Sequence, residues 1–165
     1  INYFVSRTKV TWSVKIKLMI VTHYLDRGGV EEVILMYAKL LDPSKYDVLV
    51  ACRVEGIVSA EIAALPAVRL KNFHATTKLG RLFSLWKIAR EFKPDIVHNH
   101  FNWYGLLVGR IVGAPCVETV HNTYHWLPFM EKYTYALSVM FASAIVAVSD
   151  SVKKFSALRT NCLRR

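Results

Sequence analysis

Short apolar runs rich in β-branched residues alternate with segments of helical periodicity along most of the chain. The runs predict six strands, at residues 16–22, 46–52, 67–73, 95–100, 115–121 and 144–150. Continuous apolar strands separated by helices are typical of a parallel sheet that is covered on both faces. The pattern therefore predicts a doubly wound α/β domain.

Three helices and one further helix start are predicted between or after these strands. The first helix carries Glu31 and Glu32 in its first turn, where they oppose the helix dipole, and its apolar positions are Val30, Val33, Ile34, Tyr37, Leu40 and Leu41. The second has an apolar stripe of Leu82, Leu85, Trp86, Ala89 and Phe92 and ends at Lys93-Pro94. The third runs from Glu131 to Ala142 and is expected to bury Tyr133, Leu137, Met140 and Phe141. Ser149 and Asp150 are expected to cap a helix that opens at Val152.

Length and composition limit the class of protein. A chain of 165 residues that is 53% hydrophobic suffices for one domain with a substantial core. No apolar run reaches the ~18 residues of a membrane span. The three cysteines are widely spaced and form neither a disulfide framework nor a metal knuckle, so a reducing cytoplasm fits best. Residues 1–14 read as a leader or an artificial edge of unknown role.

The formal net charge of +10 predicts attraction to polyanions but does not choose among them. No nucleic-acid partner is expected, because the basic residues are spread along the chain without a recognition helix or an aromatic RNA-binding strand.

The first strand leads into a glycine-containing loop. Gly28 and Gly29 stand at the start of the first predicted helix. Glycines let a backbone approach a ligand closely, and the free N–H groups of a helix start favour an anion. A plain tight turn is the alternative interpretation. The dinucleotide fingerprint GxGxxG is absent, so a nicotinamide-type cofactor has little support.

Polar residues end two other predicted strands. His98, Asn99 and His100 end the fourth, and His121, Asn122 and Thr123 end the fifth. In open α/β sheets this edge binds ligands. A metal site formed by His98, His100, His121 and His125 is one alternative, and ordinary strand-end imidazoles are the other. No carboxylate or cysteine stands at the customary ligand spacing beside these histidines, so no metal is expected.

Four segments together resemble the N-terminal domain of family-4-like glycosyltransferases of the GT-B fold. They are KIKLMIVTHYLDRGGVEEVILMYAKLL, KPDIVHNH, CVETVHNTY and AIVAVSDSVKKF, which extend over residues 15–155. The resemblance implies one Rossmann-like half of a GT-B fold. It further implies a retaining transferase that moves a sugar from a nucleotide-sugar donor to an acceptor of unknown identity without a cofactor or a catalytic metal.

The resemblance also assigns roles residue by residue. Gly28 and Gly29 would approach the phosphate and sugar of the donor, and His121 would lie beside the transferred sugar as the catalytic residue. Matching positions that are acceptor-side or structural are Glu31, His98, His100 and Asn122. Ser149 and Asp150 match a family step for which capping is the expected function.

Comparison with the family predicts a domain at 15–157, followed by a truncated tail at 158–165. In the family, a C-terminal donor-binding domain carries two glutamates separated by seven residues, and no pair of glutamates in this chain has that separation. We therefore expect the donor domain to be absent and the isolated chain to be inactive.

A basic peripheral binding module is the alternative function. Lys78, Arg81, Lys87, Arg90 and Lys93, with Phe73, Phe83 and Trp86 nearby, would form a surface that docks on anionic membrane or on a protein partner. A solvated helix face over a buried stripe is the competing interpretation of the same residues.

Overall fold

A computed structural model describes residues 15–123 and 128–154. Within these ranges the strands are β1 Ile16–Leu25, β2 Tyr46–Glu55, β3 Val68–Asn72, β4 Ile96–His100, β5 Cys116–Val120 and β6 Ala144–Ala147. The helices are α1 Gly29–Leu40, α2 Ile57–Ala63, α3 Lys78–Phe92, α4 Trp103–Val112 and α5 Phe129–Val139. The predicted leader at 1–14 and the predicted tail at 158–165 lie outside the described residues.

The six strands form one all-parallel sheet in the order β3-β2-β1-β4-β5-β6, which confirms the predicted α/β class and doubly wound sheet. Strand order reverses between β1 and β4. In sheets of this type the crevice at the carboxyl ends of the two strands beside the reversal is the usual ligand site. Thr22 of β1 lies opposite His100 of β4, so the polar end of β4 adjoins this crevice.

The two faces of the sheet are covered by different helices. Leu18 and Ile20 of β1 pack with α1 and α2 in one core cluster. Met19 and Val21, the alternate residues of the same strand, pack with α3, α4 and the end of α5 in another. We name these the α1 face and the α4 face. Both faces are apolar, which explains why the strands read as continuous hydrophobic runs.

Two glycines of helix α4 face side chains of the sheet directly. Gly109 faces Cys116 of β5, and a Cβ atom added to Gly109 would overlap the Cys116 sulfur. Gly105, one turn earlier, meets the side chain of Asn99 in the same way. The glycines therefore permit a packing distance that a side chain would prevent.

The predicted ends of the first two strands were too early. β1 continues through His23 to Leu25 and β2 continues to Glu55, because Tyr24 pairs with Val54 and Leu25 with Glu55. The glycine-containing loop therefore begins after Leu25 and not directly after residue 22. The predicted end of the sixth strand was too late, since β6 ends at Ala147, and helices α2 and α4 were not predicted. Gly28 is the N-cap of α1, and Ser149 Oγ accepts a hydrogen bond from Val152 N at 3.3 Å, as the predicted helix starts require.

The predicted burial of the last helix was wrong. Tyr133 is 53% exposed and Met140 60% exposed, and Leu137 and Phe141 are exposed as well. Ser138 is buried in their place, and Val139 packs against the α4-face core. Helical periodicity identifies an apolar stripe but does not say whether another element packs on it.

Candidate functional site

Three histidines that are far apart in sequence come together on the α1 face at the carboxyl edge of the sheet. His100 Nδ1 lies 2.9 Å from His121 Nε2, and His98 Nε2 lies 2.8 Å from Thr119 Oγ1. The rings of His98 and His100 are 4.4 Å apart, centroid to centroid. Tyr37 of α1 covers them, with its ring 5.2 Å from that of His98. The last residues of β4 and the residue after β5 thus form one cluster at the edge where the sequence analysis placed them.

Burial keeps these imidazoles neutral. It lowers the pKa of His100 to about 2, with smaller contributions from His98 and His121, and it lowers the pKa of His98 to about 4. Burial also lowers the pKa of His121, which is only half-buried. Near neutral pH the cluster therefore presents polar but uncharged groups to the crevice.

The hydrogen bond between His100 and His121 requires that one ring donates and the other accepts. His100 Nε2 is buried and has no hydrogen-bond partner among the described residues. Buried N–H groups without an acceptor are rarer in proteins than buried acceptors without a donor, so we place the proton of His100 on Nδ1. His100 then donates to His121 Nε2, and His121 carries its own proton on Nδ1.

The glycine loop lies at the same edge. Gly28 contributes no side-chain cap, so the first N–H groups of α1 are not satisfied by a capping side chain. A Cβ added to Gly29 would meet nothing within 4 Å, and one added to Gly28 would meet only the flexible end of Glu31. Neither glycine has a positive φ. The backbone here is open to close approach, although the fold itself does not require glycine.

Two of the remaining candidates have local structural contacts. Asn122 Oδ1 accepts a hydrogen bond from Thr123 N at 2.7 Å and so shapes the turn after β5. Glu31 is half-buried in the first turn of α1. His125, the fourth candidate of the metal alternative, lies outside the described residues.

Across residues 15–123 and 128–154, no group of three or more His, Cys, Asp or Glu side chains could hold a metal ion. His98 Nε2 is hydrogen-bonded to Thr119 Oγ1, and His100 Nδ1 is hydrogen-bonded to His121 Nε2. Metal-independent chemistry remains a prediction.

Sequence reasoning missed a second polar cluster, on the α4 face. Glu118 of β5 is fully buried and accepts hydrogen bonds from Asn99 Nδ2, from the Tyr135 hydroxyl at 2.5 Å and from Phe101 N at 3.3 Å. Burial raises the pKa of Glu118 to about 8, although these hydrogen bonds act in the opposite direction. The cluster joins β4, β5 and α5 beneath the ligand edge. Its only sequence signal was a carboxylate within an apolar strand.

The outer face of α3 is basic and aromatic, as the alternative function required, but it is smaller than predicted. Phe83 and Trp86 stack at 5.3 Å, with Lys87 over the first ring and Arg90 over the second. Phe73 is fully buried, so it does not belong to this surface. Among the described residues, no helix is both long and apolar enough to cross a membrane. Peripheral membrane contact remains a prediction.

The sequence of the chain matches a known family and a curated protein. Residues 27–159 match the family model described as Glycosyltransferase Family 4. A UDP-Gal:alpha-D-GlcNAc-diphosphoundecaprenol alpha-1,3-galactosyltransferase of Escherichia coli is 30% identical over 104 residues, which are 58% of this chain and 27% of that protein.

Solved structures show the same fold at low sequence identity. HepE of Anabaena, in complex with UDP-glucose, matches with a TM-score of 0.69 and 16% identity, over 87% of this chain and 40% of that one. A putative UDP-N-acetylglucosamine 2-epimerase of Listeria monocytogenes matches with a TM-score of 0.62 and 16% identity, over 88% and 42%. The chain thus spans less than half the length of these proteins.

Proposed function

The chain belongs to glycosyltransferase family 4, and on that premise we propose that it forms the acceptor-side domain of a retaining hexosyltransferase. The donor would be a nucleotide sugar, and a second, C-terminal domain would hold its nucleotide. The proposal is supported by the similarity to a galactosyltransferase and by the 27% of that relative's length that the chain covers.

One observation carries the assignment of the site. The uncapped start of α1 and the paired imidazoles of His100 and His121 lie at the same carboxyl edge, where strand order reverses. A helix start attracts a diphosphate, and a neutral imidazole can hydrogen-bond to sugar hydroxyls. The donor's phosphate would therefore approach Gly28 and Gly29, and its sugar would lie beside His121.

The residues present fit a transfer that depends on positioning. The acceptor hydroxyl oxygen bonds to the anomeric carbon while the bond from that carbon to the diphosphate oxygen breaks, and the electron pair leaves with the nucleoside diphosphate. Retention places the incoming oxygen on the side from which the diphosphate departs, so a diphosphate oxygen can accept the hydroxyl proton. Such a reaction needs orientation and electrostatic stabilisation more than a strong base. No metal is required in this scheme.

The other predicted residues receive supporting roles. His100 positions His121 through their hydrogen bond, and His98 packs behind it. Asn122 shapes the turn that follows His121. Glu31 lies next to the glycine loop, where its carboxylate stabilises the start of α1.

The test compares sugar transfer by the 165-residue chain with transfer by the same chain joined to the C-terminal half of a family-4 relative. We expect the extended protein to transfer hexose from one member of a nucleotide-sugar panel and the chain alone to be inactive. His121→Ala in the extended protein should abolish most of the activity, while His74→Ala, an exposed histidine away from the cluster, should not. Inversion at the anomeric carbon, or equal activity of His121→Ala, would contradict the proposal.

A further inference from the structure

A second cleft opens at the carboxyl edge on the α4 face, opposite the histidine cluster. It has a volume of about 320 Å³ and lies between β1, β2, the start of α3, the start of α4, and α5. Four of its lining residues are His23, Arg53, Lys78 and Arg81, and we call it the basic cleft. Gly28 and Gly29 do not line it.

Strand pairing brings His23 and Arg53 together. His23 occupies the β1 position between Thr22 and Tyr24, which pair with Cys52 and Val54 on either side of Arg53. An Arg53 Nη1 group and His23 Nε2 are in hydrogen-bond contact. Burial, with the charges of Arg53 and Arg81, lowers the pKa of His23 to about 4. His23 is therefore a neutral acceptor that orients the guanidinium of Arg53 without neutralising its charge.

Arg81 is oriented in a comparable way by carbonyl groups. Its Nε donates to Ala75 O at 2.8 Å, and its Nη2 donates to Thr76 O at 3.2 Å. Carbonyls fix the guanidinium but leave its positive charge uncompensated. Lys78 adds a third cation from the first turn of α3.

The cleft is short of negative charge. Within residues 15–123 and 128–154, the ion pairs involve Arg27, Lys39, Lys45 and Arg69 and none of the cations of the basic cleft. Glu131 is the one carboxylate among the lining residues that the structure describes, and it is exposed on α5. Arg53 Nε is buried and has no hydrogen-bond partner among the described residues. A buried donor on a charged group costs free energy until an acceptor reaches it.

We propose that the basic cleft binds a phosphate or diphosphate group of the acceptor. A planar guanidinium presents paired N–H donors that match the oxygens of a phosphate, and Arg53 and Arg81 are both held in place before a ligand arrives. Trp103, which is half-buried and stacks on the buried Tyr104, lines the same cleft and offers an apolar surface to the rest of such an acceptor. The inference rests on the proposed function, because it names the acceptor class of that transferase.

Direct binding is tested with inorganic pyrophosphate and the purified 165-residue chain. Nitrogen-15 NMR of the arginine side chains should show saturable shifts of the Arg53 and Arg81 Nε–H signals. Arg53→Gln and Arg81→Gln should each weaken binding roughly tenfold or more, as expected for the loss of one charge-assisted contact. Arg69→Gln is the matched control, since Arg69 is exposed and pairs with Asp47. Unmoved Arg53 and Arg81 signals in the wild type would overturn the proposal without depending on the folding of any variant.

Two acceptor arms then separate the source of the phosphate. A hexose 1-phosphate and a short-chain prenyl diphosphate both carry the required group, and the one that competes with pyrophosphate at lower concentration identifies the acceptor type. If pyrophosphate binds as expected but the extended protein transfers no sugar, the proposed function fails and the anion site stands. If transfer occurs only to acceptors without phosphate and Arg53→Gln leaves it unchanged, the anion site fails alone.

Discussion

Glu118 gives the sharpest test of the folded state, because its carboxyl group is fully buried and its neighbours are polar but uncharged. Asn99, Tyr135 and the backbone N–H of Phe101 bond to its oxygens. Burial nevertheless raises the pKa of Glu118 from 4.5 to about 8. Between pH 4.5 and about 8, the folded protein therefore keeps the proton of Glu118 that the unfolded chain has released, and ionisation of Glu118 works against folding.

The sign and size of the effect follow from this difference in pKa. Because the folded pKa is the higher one, the free energy of unfolding falls as pH rises from 4.5 through about 8. Between about pH 5.5 and about pH 8.5 the loss attributable to Glu118 is roughly 3 kcal/mol. His23, His98 and His100 have lowered pKa values and destabilise the fold only on the acidic side of 6.5. Their contribution cancels when wild type and a Glu118 variant are compared at each pH.

The assay is urea unfolding of wild type and Glu118→Gln at those two pH values. Glutamine has nearly the same shape and does not ionise, so the difference in unfolding free energy between the two proteins should shift by roughly 3 kcal/mol in favour of the variant at the higher pH. Glu91→Gln, at an exposed position on α3, is the control and should follow the wild type. If the difference between wild type and Glu118→Gln does not change with pH, Glu118 is ionised in the folded protein and the reasoning from burial is wrong.

Substitutions at three further positions test packing and the proposed site. Gly29→Ala should leave the melting temperature unchanged or raise it, because the added Cβ meets nothing within 4 Å. The same substitution should weaken nucleotide-sugar binding in the extended protein. Calorimetry measures the first effect and donor titration the second, and an unchanged donor affinity would count against the glycine loop as the donor site. Gly109→Ala should cost about 1–3 kcal/mol in urea unfolding, because its Cβ overlaps Cys116 Sγ, and a neutral result would mean that α4 shifts freely. His100→Leu should lower kcat of the extended protein about tenfold with little change in KM, whereas His100→Asn, which keeps an N–H near the Nδ1 position, should restore part of it. Equal kcat for both His100 variants would remove the positioning role of the bond to His121.

The metal requirement of the reaction gives one more check of the proposed chemistry. We expect transfer by the extended protein to persist in excess EDTA, and activity that disappears with EDTA and returns with a divalent cation would show that the scheme lacks a metal.

Local sequence was sufficient for the six strands and for three of the five helices, whereas α2 and α4 were not predicted. Alternating apolar strands and helices predicted the six strands, and the acidic first turn after Gly29 located the start of α1. These features depend on neighbours within a few residues, which is why periodicity and capping patterns record them. The positions of His98, His100 and His121 at strand ends followed from the same reasoning.

Only the tertiary structure decided which residues meet. Strand order placed β5 beside β4, and this pairing brought His100 to His121 and Asn99 to Glu118. The same sheet joined His23 to Arg53, two residues to which the sequence pattern had given no role. It also placed the apolar stripe of α5 on the exposed side. Such contacts depend on which distant segments pack together, and a one-dimensional pattern of polar and apolar positions does not encode that choice at any single site.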